Sequence, residues 1–538
     1  MGTERCADVI VSSLIDQGVD MVFGLPGAQT YTLFDALRLR QDEIKTYVTR
    51  HEQGAAYMAF GYAKSTGKPG VYAVVPGPGV LNSTAALCSA HSASVLCLSG
   101  QIPSNFIGIG HGELHELPDQ LTTLRTLTKW AERINYAGET NQVMASAFRQ
   151  LYTGRQQPVA VEVPADIFGM QASFDSAQRG VGIEPPRAPS SDIEAAADAI
   201  RQARNPMIMV GSGAVNAGAE ILELAKLIQA PVVSFRGGRG IVSDDSPYGF
   251  SCASGFKLWE QADVVIGIGS RLELNTSRWQ KTPVSKVLIR IDVDPTQMLR
   301  LRANYPVVAD AQVGTGQLLE ALASNYRSPS SREQEFIEIK AQSWQEIQKI
   351  QPQMSYLGVI REVLPRNGFL VEEISQVGFT AWFGFPIYEP RRLVTSGYQG
   401  NLGHGFQTAL GVKMANPGTP VVSIAGDGGF MFGVQELATA VQYKVPLVTV
   451  LFNNNAYGNV RRDQIRLYEK PWGSELKNPD FMKLAESFGA YAQRVTSPEQ
   501  LKPALEKGLQ ADGPTLIEVP IERGSEVSPW EFLAPAGY

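Results

Sequence analysis

Residues 421–429 read Val-Val-Ser-Ile-Ala-Gly-Asp-Gly-Gly, an apolar run that ends in a glycine-rich turn. The run has the composition of a buried strand, and its glycines let the backbone turn tightly where the strand ends. A second apolar run, 446–452, is followed directly by Asn453 and Asn454. Parallel strands joined by one helix end at the same edge of a sheet, so Asp427 and Asn454 are expected to lie close together.

This edge of the predicted sheet has the chemistry of a diphosphate and metal site. A strand that passes through Gly-Asp-Gly-Gly into a helix offers free N–H groups to a diphosphate. The carboxylate of Asp427, the amide of Asn454 and a backbone carbonyl near Ala456 would supply oxygen ligands of the kind that Mg2+ prefers. The turn of an ordinary nucleotide-binding α/β protein is the alternative that these residues alone leave open.

The same segment resembles the cofactor signature of thiamine diphosphate enzymes. The resemblance is carried by Leu410-Gly411, Pro417, Val422, Ile424, Gly426-Asp427-Gly428-Gly429 and Asn454. It implies that the turn at 426–429 binds the diphosphate of the cofactor. It also implies that Asp427, Asn454 and Ala456 hold the Mg2+ ion on that diphosphate.

The composition indicates a soluble protein of several domains. The chain has 538 residues, of which 44% are hydrophobic and 19% charged, and its net charge of −6 does not indicate nucleic-acid binding. No apolar run approaches the length of a membrane span, and the N-terminus lacks a signal-peptide pattern. The four cysteines have no metal-ligand spacing. We therefore expect a cytoplasmic protein with reduced thiols and with no membrane or nucleic-acid partner.

Two polar, turn-rich stretches, 174–190 and 325–334, divide the chain into predicted domains at 1–173, 190–324 and 335–538. Each domain alternates apolar strands with amphipathic helices, which predicts three doubly wound parallel-sheet domains of the α/β class. The resemblance implies a pyrimidine-binding, a central and a diphosphate-binding domain in this order. The predicted strands are 22–24, 71–75, 95–98, 159–163, 207–210, 264–268, 287–293, 421–425, 446–452 and 515–519.

A thiamine cofactor also needs an acid beside its aminopyrimidine ring. Residues 49–59, Thr-Arg-His-Glu-Gln-Gly-Ala-Ala-Tyr-Met-Ala, closely resemble the activating segment of the acetolactate synthase group. The resemblance makes Glu52 the general acid/base, and burial suits this task because it moves the pKa of a carboxyl group toward neutrality. A glutamate that only stabilises the first turn of a helix is the structural alternative.

Further matched segments imply contacts with the cofactor. The resemblance makes Leu402 the wedge that bends the cofactor, and the carbonyl of Gly400 the acceptor for its amino group. Pro26 and Gly79 stand in turns that match the same group, the first facing the substrate and the second allowing close approach of the cofactor. Gln376 aligns with a segment that contacts the diphosphate.

The resemblance also implies an assembly and a substrate class. In the family, the activating glutamate of one subunit meets the metal module of another. The site would therefore lie at the interface of a homodimer or of a homotetramer built as a dimer of dimers. The small-molecule substrate would be a 2-oxo acid or a hydroxyketone.

Positions that face the substrate depart from acetolactate synthase. The chain has Leu114-His115-Glu116 where that group has Phe-Gln-Glu, and it has Asn459 and Asp463 where that group has Met and Trp. The Trp shapes the pocket for a second oxo acid. His115 and His404 are the candidates for moving protons on substrate and product, with structural histidines as the alternative.

FAD is left open by the resemblance as a cofactor of the central domain, although the sequence disfavours it. Arg271 matches an arginine that contacts flavin or substrate, and Gly211-Ser212-Gly213 is a weak dinucleotide pattern. Residues 250–255, Phe-Ser-Cys-Ala-Ser-Gly, lack the character of the flavin segment.

The sequence thus predicts a thiamine diphosphate- and Mg2+-dependent lyase or transferase that resembles acetolactate synthase. It would decarboxylate a 2-oxo acid, and the remaining fragment would be protonated to an aldehyde or added to a second carbonyl compound. One alternative is a lyase of the benzaldehyde lyase or 2-hydroxyacyl lyase kind, which would cleave acyloins. The other is a catalytically silent homologue, which would be expected to lack the activating acid or a metal ligand.

Overall fold

The computed structural model describes residues 3–173, 183–279, 286–323 and 325–537. Half of the first predicted linker, 174–182, lies outside the described residues. In the second predicted linker, residues 326–332 have no regular secondary structure, but its last two residues, 333–334, already belong to a helix.

The strands of the described residues form three six-stranded parallel sheets and one antiparallel pair. Their bounds are β1 Thr3–Arg5, β2 Met21–Gly24, β3 Lys45–Val48, β4 Gly70–Val74, β5 Val95–Gln101, β6 Trp130–Arg133, β7 Val159–Pro164, β8 Gln171–Ser173, β9 Pro206–Val210, β10 Val232–Ser234, β11 Gly249–Ser251, β12 Val264–Ile268, β13 Val287–Asp292, β14 Tyr305–Val308, β15 Phe369–Glu372, β16 Leu393–Val394, β17 Val421–Gly426, β18 Val448–Asn453, β19 Tyr491–Arg494 and β20 Thr515–Pro520.

Helices connect the strands and cover both faces of the sheets, as parallel pairing requires. Their bounds are α1 Cys6–Asp16, α2 Tyr31–Leu39, α3 Glu52–Thr66, α4 Pro78–Ser89, α5 Gln120–Leu127, α6 Thr140–Tyr152, α7 Ala165–Gly169, α8 Ser190–Arg201, α9 Gly218–Ile228, α10 Cys252–Phe256, α11 Thr296–Arg300, α12 Ala311–Ala323, α13 Glu333–Ile347, α14 Gln353–Val363, α15 Gln376–Gly384, α16 His404–Ala415, α17 Asp427–Phe430, α18 Glu436–Gln442, α19 Gly458–Tyr468, α20 Phe481–Phe488, α21 Pro498–Leu509 and α22 Trp530–Leu533.

The three sheets confirm the predicted α/β class. The first has the order β3-β2-β4-β5-β7-β6, the second β11-β10-β9-β12-β13-β14, and the third β16-β15-β17-β18-β20-β19. The strands of each sheet come from one of the three predicted segments, whereas the exact domain boundaries remain predictions. Because all strands of a sheet run parallel, their carboxyl ends line one edge, and the loops at that edge carry the candidate site.

The first and third sheets are joined by a direct contact between α3 and α16. Ser65 on α3 accepts a hydrogen bond from Asn416, just beyond α16, at 3.0 Å. Asn401, just before α16, donates to the hydroxyl of Tyr57 on α3 at 3.2 Å and to the carbonyl of Ala85 on α4 at 2.7 Å. The two helices therefore begin at the same end of the interface, next to the carboxyl edges of both sheets.

Candidate active site

Asp427 is the centre of one half of the site. It begins α17 directly after β17, and its side chain is buried with 2% of its surface exposed. Burial raises the pKa of this carboxyl group, while hydrogen bonds from Asn478 and from the N–H groups of Gly428 and Ala456 oppose the shift. No ion pair joins Asp427 to a cationic side chain among the described residues. A buried carboxylate without a positive partner is costly, so this position fits a bound cation.

Oxygen atoms from the neighbouring loop converge on the same place. The amide Nδ2 of Asn478 lies 2.6 Å from Oδ2 of Asp427, 3.0 Å from Oδ1 of Asn453 and 3.3 Å from Oδ1 of Asn455. Oδ1 of Asn454 accepts a hydrogen bond from the N–H of Ala456 at 3.1 Å. The structure therefore brings together Asp427, Asn454 and Ala456, and this set of hard oxygen donors fits Mg2+.

No group of three or more His, Cys, Asp or Glu side chains that could hold a metal ion occurs among the described residues. The predicted magnesium set contains only one such side chain, since its other donors are an amide and a backbone carbonyl.

Three of the four residues of the turn at 426–429 are glycines, and two of them have no space for a side chain. A Cβ atom at Gly428 would lie 2.5 Å from the ring of Tyr457, and one at Gly429 would lie 2.7 Å from Cγ of Glu373. Gln376 begins α15 beside this turn, and its Oε1 is buried without a hydrogen-bond partner. The free N–H groups at the start of such a helix suit an anion.

Glu52 lies at the start of the other half. It is the first residue of α3, and its Oε2 accepts a hydrogen bond from Nδ2 of Asn82 on α4 at 3.0 Å. The preceding residue, His51, caps the helix by accepting from the N–H of Gln53 at 3.1 Å. Glu52 is only half-buried in the single chain.

The loop before Glu52 is held by the third domain. The carboxylate of Glu436 on α18 is fully buried and accepts hydrogen bonds from the N–H groups of Arg50 at 3.1 Å and His51 at 2.9 Å. Thr439 donates to its other oxygen at 2.6 Å. Glu436 therefore ties the loop before Glu52 to the third domain of the same chain.

His115 belongs to the Glu52 half. Its backbone adopts a left-handed conformation with φ of 70°, and its carbonyl packs against Gly77 in the turn that precedes α4 and Gly79. Its Nδ1 lies 2.9 Å from Oε1 of Gln29, and Nε2 of Gln29 donates to the carbonyl of Leu114 at 2.8 Å. Gln29 therefore fixes both the ring and the backbone of this segment.

Pro26, Gly400 and Leu402 occupy loops at the sheet edges. Pro26 is exposed in the turn after β2, Gly400 is exposed with φ of 63°, and Leu402 is half-buried just before α16. A Cβ atom at Gly403 would lie 3.4 Å from Nε2 of Gln53. The residue after Leu402 thus meets the residue after Glu52.

His404 lies deeper than the sequence suggests. It is fully buried, neither ring nitrogen has a hydrogen-bond partner, and burial lowers its pKa to about 3. Its Nε2 lies 3.8 Å from Oε1 of the buried Glu372. An imidazole held neutral in this way, on the first residue of α16, is a poor proton donor near neutral pH.

A cavity of about 910 Å³ opens at the carboxyl edge of the central sheet. Its lining includes Gly211 after β9, Gly269 after β12, and Arg271, whose guanidinium lies 4.0 Å from the centre of the Tyr398 ring. The sheet order reverses between β9 and β12, which is where doubly wound domains bind nucleotides. The cavity has room for a dinucleotide.

Several residues of the site belong to no recognisable sequence motif and were not predicted. Gln29, Asn82, Glu436 and Asn478 each reach the site from a segment remote from the residue that they contact. An isolated Gln, Asn or Glu has no spacing that reveals such a contact, so only the fold exposes it.

All three domains match models of one protein family. Residues 4–123 match the N-terminal TPP binding domain of thiamine pyrophosphate enzymes, residues 193–322 match the central domain, and residues 373–519 match the C-terminal TPP binding domain. A probable 2-ketoarginine decarboxylase of Pseudomonas aeruginosa is 32% identical, with 96% of this chain and 94% of the relative aligned. The chain belongs to the thiamine pyrophosphate enzyme family.

Other relatives carry acetolactate synthase names. A probable acetolactate synthase large subunit of Methanocaldococcus jannaschii is 31% identical over 96% of this chain and 92% of the relative. The large subunit of acetolactate synthase isozyme 3 of Escherichia coli is 29% identical over 98% of this chain and 96% of the relative. The predicted resemblance is therefore confirmed.

This thiamine pyrophosphate enzyme makes or breaks C–C bonds, as a 2-oxo acid decarboxylase or carboligase that resembles acetolactate synthase. The alternative of an acyloin-cleaving lyase is not favoured. No helix of the described residues is long and apolar enough to cross a membrane.

Proposed function

We propose that this chain decarboxylates a 2-oxo acid with bound thiamine diphosphate and Mg2+, and that Glu52 activates the cofactor. The observation that carries the proposal is the buried carboxylate of Asp427, which has no ion-pair partner among the described residues and lies near the oxygens of the Asn453–Ala456 loop. Asp427, Asn454 and the carbonyl of Ala456 would hold Mg2+. The turn at 426–429 and the start of α15 with Gln376 would hold the diphosphate.

When bound, the cofactor supplies a carbon that attacks a carbonyl group and an electron sink for the bond that breaks. The part of Glu52 is to exchange a proton with the aminopyrimidine ring. Its hydrogen bond to Asn82 fixes one carboxylate oxygen, which leaves the other for the cofactor. Leu402, Gly400, Pro26 and Gly79 would shape the space around the rings.

We assign proton handling on the substrate to His115 rather than His404. His115 is half-buried beside the Glu52 half, and Gln29 sets its ring orientation through Nδ1. Its Nε2 remains available to give or take a proton. The burial of His404 and its lowered pKa remove it from this role.

A homodimer would complete the site, and a dimer of dimers extends the same arrangement. In the single chain Glu52 is only half-buried, and large apolar side chains that adjoin residues of the candidate site in sequence are exposed. These are Leu81 at 46%, Leu114 at 61%, Met431 at 37% and Phe432 at 47%. A partner subunit that covered these side chains would also exclude water from Glu52.

The substrate proposal follows the departures from acetolactate synthase. Asn459 and Asp463 stand where that group has Met and Trp, and Asp463 pairs with Arg462 at 2.8 Å. A polar, charged wall does not favour a second small oxo acid as acceptor. We therefore place decarboxylation to an aldehyde first, with 2-ketoarginine, named for one relative, as the first substrate to test.

The test is a screen of 2-oxo acids, alone and with aldehydes, in the presence of thiamine diphosphate and Mg2+. We expect CO2 release that requires both additions, and an aldehyde product. Cleavage of benzoin-type hydroxyketones without CO2 release from any 2-oxo acid would contradict the proposal. Sedimentation of the same protein tests the dimer.

FAD is a separate matter that the site chemistry does not need. The central cavity has room for it, and Gly211, Gly269 and Arg271 would be its contacts. Purified protein with a flavin absorption spectrum would support FAD, whereas a colourless protein that turns over at full rate would exclude a requirement for it.

A further inference from the structure

The chain beyond β20 returns to the loop that carries the predicted metal ligands. We call residues 521–533 the C-terminal clasp. The N–H of Ile521 donates to the carbonyl of Asn453 at 2.8 Å. The guanidinium of Arg523 donates to the carbonyls of Asn454 at 3.3 Å and Asn455 at 3.0 Å. The clasp thus holds the backbone of this loop from outside the sheet.

Glu526, in the middle of the clasp, contacts a side chain of the loop. Its Oε2 accepts a hydrogen bond from Nδ2 of Asn454 at 2.8 Å. The opposite end of the same amide is held too, since Oδ1 of Asn454 accepts from the N–H of Ala456 at 3.1 Å. With both ends engaged, the Asn454 amide has one orientation.

The far end of the clasp is anchored independently of the loop. Nε1 of Trp530 donates to Oδ1 of Asn459 on α19 at 2.7 Å, and its ring lies 5.3 Å from that of Phe379. The N–H of Val527 donates to the carbonyl of Gln351 at 3.0 Å. Glu526 is therefore held in place by contacts on either side of it.

We propose that Glu526 is a positioning residue for the metal site, which fixes the Asn454 amide for divalent-cation binding. The inference rests on the proposed function, because that function makes Asn454 a ligand. The match to the C-terminal TPP binding domain ends at residue 519, so the clasp lies outside the part that the family comparison covers. Residues that orient a metal ligand change metal affinity by about ten- to a hundred-fold when they are replaced.

Three substitutions separate this role from a merely structural one. Glu526→Ala removes the acceptor and frees the Asn454 amide to rotate. Glu526→Gln keeps an acceptor oxygen of the same reach. Glu522→Ala is the control, because the Glu522 side chain is exposed in the same clasp. Glu526→Met, which fills the space without an acceptor, replaces the alanine variant if that variant does not fold.

The measurement is binding of thiamine diphosphate to the full-length protein, followed by tryptophan fluorescence across an Mg2+ titration. We expect Glu526→Ala to raise the half-saturating Mg2+ concentration about ten- to a hundred-fold, with turnover recovered at saturating Mg2+. Glu526→Gln should stay within about threefold of the unsubstituted protein, and Glu522→Ala should match it.

An unchanged Mg2+ requirement in Glu526→Ala overturns the inference, as does a glutamine variant that binds as weakly as the alanine variant. Failure of the proposed function looks different. In that case the unsubstituted protein itself binds thiamine diphosphate without any dependence on Mg2+, and so does Asp427→Asn.

Discussion

Glu52 and Asp427 divide the proposed chemistry between two side chains in contrasting surroundings. Asp427 is buried beside amide groups and is the proposed ligand of a cation. Glu52 is half-buried and has Asn82 as its hydrogen-bond partner. Binding and activation should therefore be separable by mutation. A substitution at Asp427 should weaken cofactor binding, and one at Glu52 should leave it in place.

We expect Glu52→Gln to bind thiamine diphosphate and Mg2+ normally and to lose at least about 99% of turnover. The amide keeps the shape and the contact with Asn82 but cannot exchange a proton, and general acid–base catalysis contributes about 10² to 10⁴ in rate. Cofactor binding by fluorescence and CO2 release give the two readouts. Full activity in this variant would remove Glu52 from the mechanism.

At the level of residues, the sequence predicted the site residues that belong to motifs. It did not predict the residues that hold them in place by hydrogen bonds. Asp427, Asn454 and Ala456 lie together because strand ends share an edge, which the spacing already indicates. The contact of Glu436 with the loop before Glu52 joins two domains through a lone glutamate. His404 shows that a motif does not reveal burial, because this histidine lies in a matched segment and is nevertheless fully buried.

Helix α18 and the residue after it hold the segment before Glu52 through several hydrogen bonds rather than one. Besides Glu436, the hydroxyl of Tyr443 just after this helix accepts from the N–H of Val48 at 2.9 Å. The side chain of Gln442 accepts from Arg50 at 2.9 Å on the exposed side. The position of Glu52 thus depends on the third domain of the same chain.

Glu436→Ala should lower turnover by about ten- to a hundred-fold while cofactor binding persists, because a small displacement of Glu52 misplaces its proton. The loss of an acceptor for two backbone N–H groups should also cost about 1–3 kcal/mol of stability. Steady-state kinetics and thermal unfolding measure the two effects. Gln442→Ala, which removes only an exposed hydrogen bond, should change neither; equal losses in both variants would contradict the role of Glu436.

Helices α3 and α16 approach each other through glycines on both sides. A Cβ atom at Gly61 would lie 2.2 Å from the carbonyl oxygen of Thr408, and one at Gly411 would lie 2.0 Å from that of Met58. The contact is reciprocal, with the glycine of each helix facing the backbone of the other. Neither position has space for a side chain.

Gly61→Ala should therefore destabilise the protein by at least about 1–3 kcal/mol, because the helices must separate. Gly358→Ala is the matched control: Gly358 lies inside α14 with no atom within 4 Å of an added Cβ, so alanine should stabilise by up to about 1 kcal/mol. Urea unfolding of both variants measures the difference. Similar stability changes in the two would show that the α3–α16 contact is loose.

Every strand that the sequence predicts corresponds to an interior strand of one of the three sheets, whereas β10 and β15, which are also interior, were not predicted. Central strands such as β4, β5 and β7 are buried on both faces and read as continuous apolar runs. Edge strands β3, β6 and β19 carry Lys, Arg, Glu or Gln on a partly exposed face, and their composition gives no such pattern. Their pairing comes from the neighbouring strand and not from hydrophobicity.

At the scale of the whole molecule, two adjacent buried acids, Glu372 and Glu373, have pKa values that depend on the fold. Burial raises the pKa of Glu372 to about 7 and that of Glu373 to about 8, although backbone N–H groups oppose both shifts. Glu372 is the last residue of β15 and lies near His404, and Glu373 follows it and packs against Gly429. The folded protein therefore binds these protons more tightly than the unfolded chain does.

Stability should fall as pH rises from about 4.5 toward 8, because the folded state must then give up protons that it holds above the ordinary glutamate pKa. Below that window both states are protonated and the effect vanishes. Glu372→Gln should flatten the part of the decline that ends near pH 7. Thermal unfolding of both proteins from pH 5 to 8 measures this, and parallel curves would contradict the raised pKa.

The first and third sheets share one strand order although their sequences show no repeat. In each, the first two strands are exchanged at one end and the last two at the other, and α3 and α16 follow the second strand of their sheets. The two sheets therefore share their topology but show no internal repeat in the sequence. The shared topology explains why the α3–α16 contact is reciprocal.

That contact has a consequence for biosynthesis. A ribosome that has released α3 must add more than three hundred further residues before α16 leaves the exit tunnel. Until then the nascent N-terminal domain exposes to solvent the apolar surface of α3 that packs against α16 in the finished protein, and a prematurely terminated chain exposes it permanently. Truncated products should consequently be strong clients of chaperones, and quality control has a ready way to recognise an unfinished polypeptide.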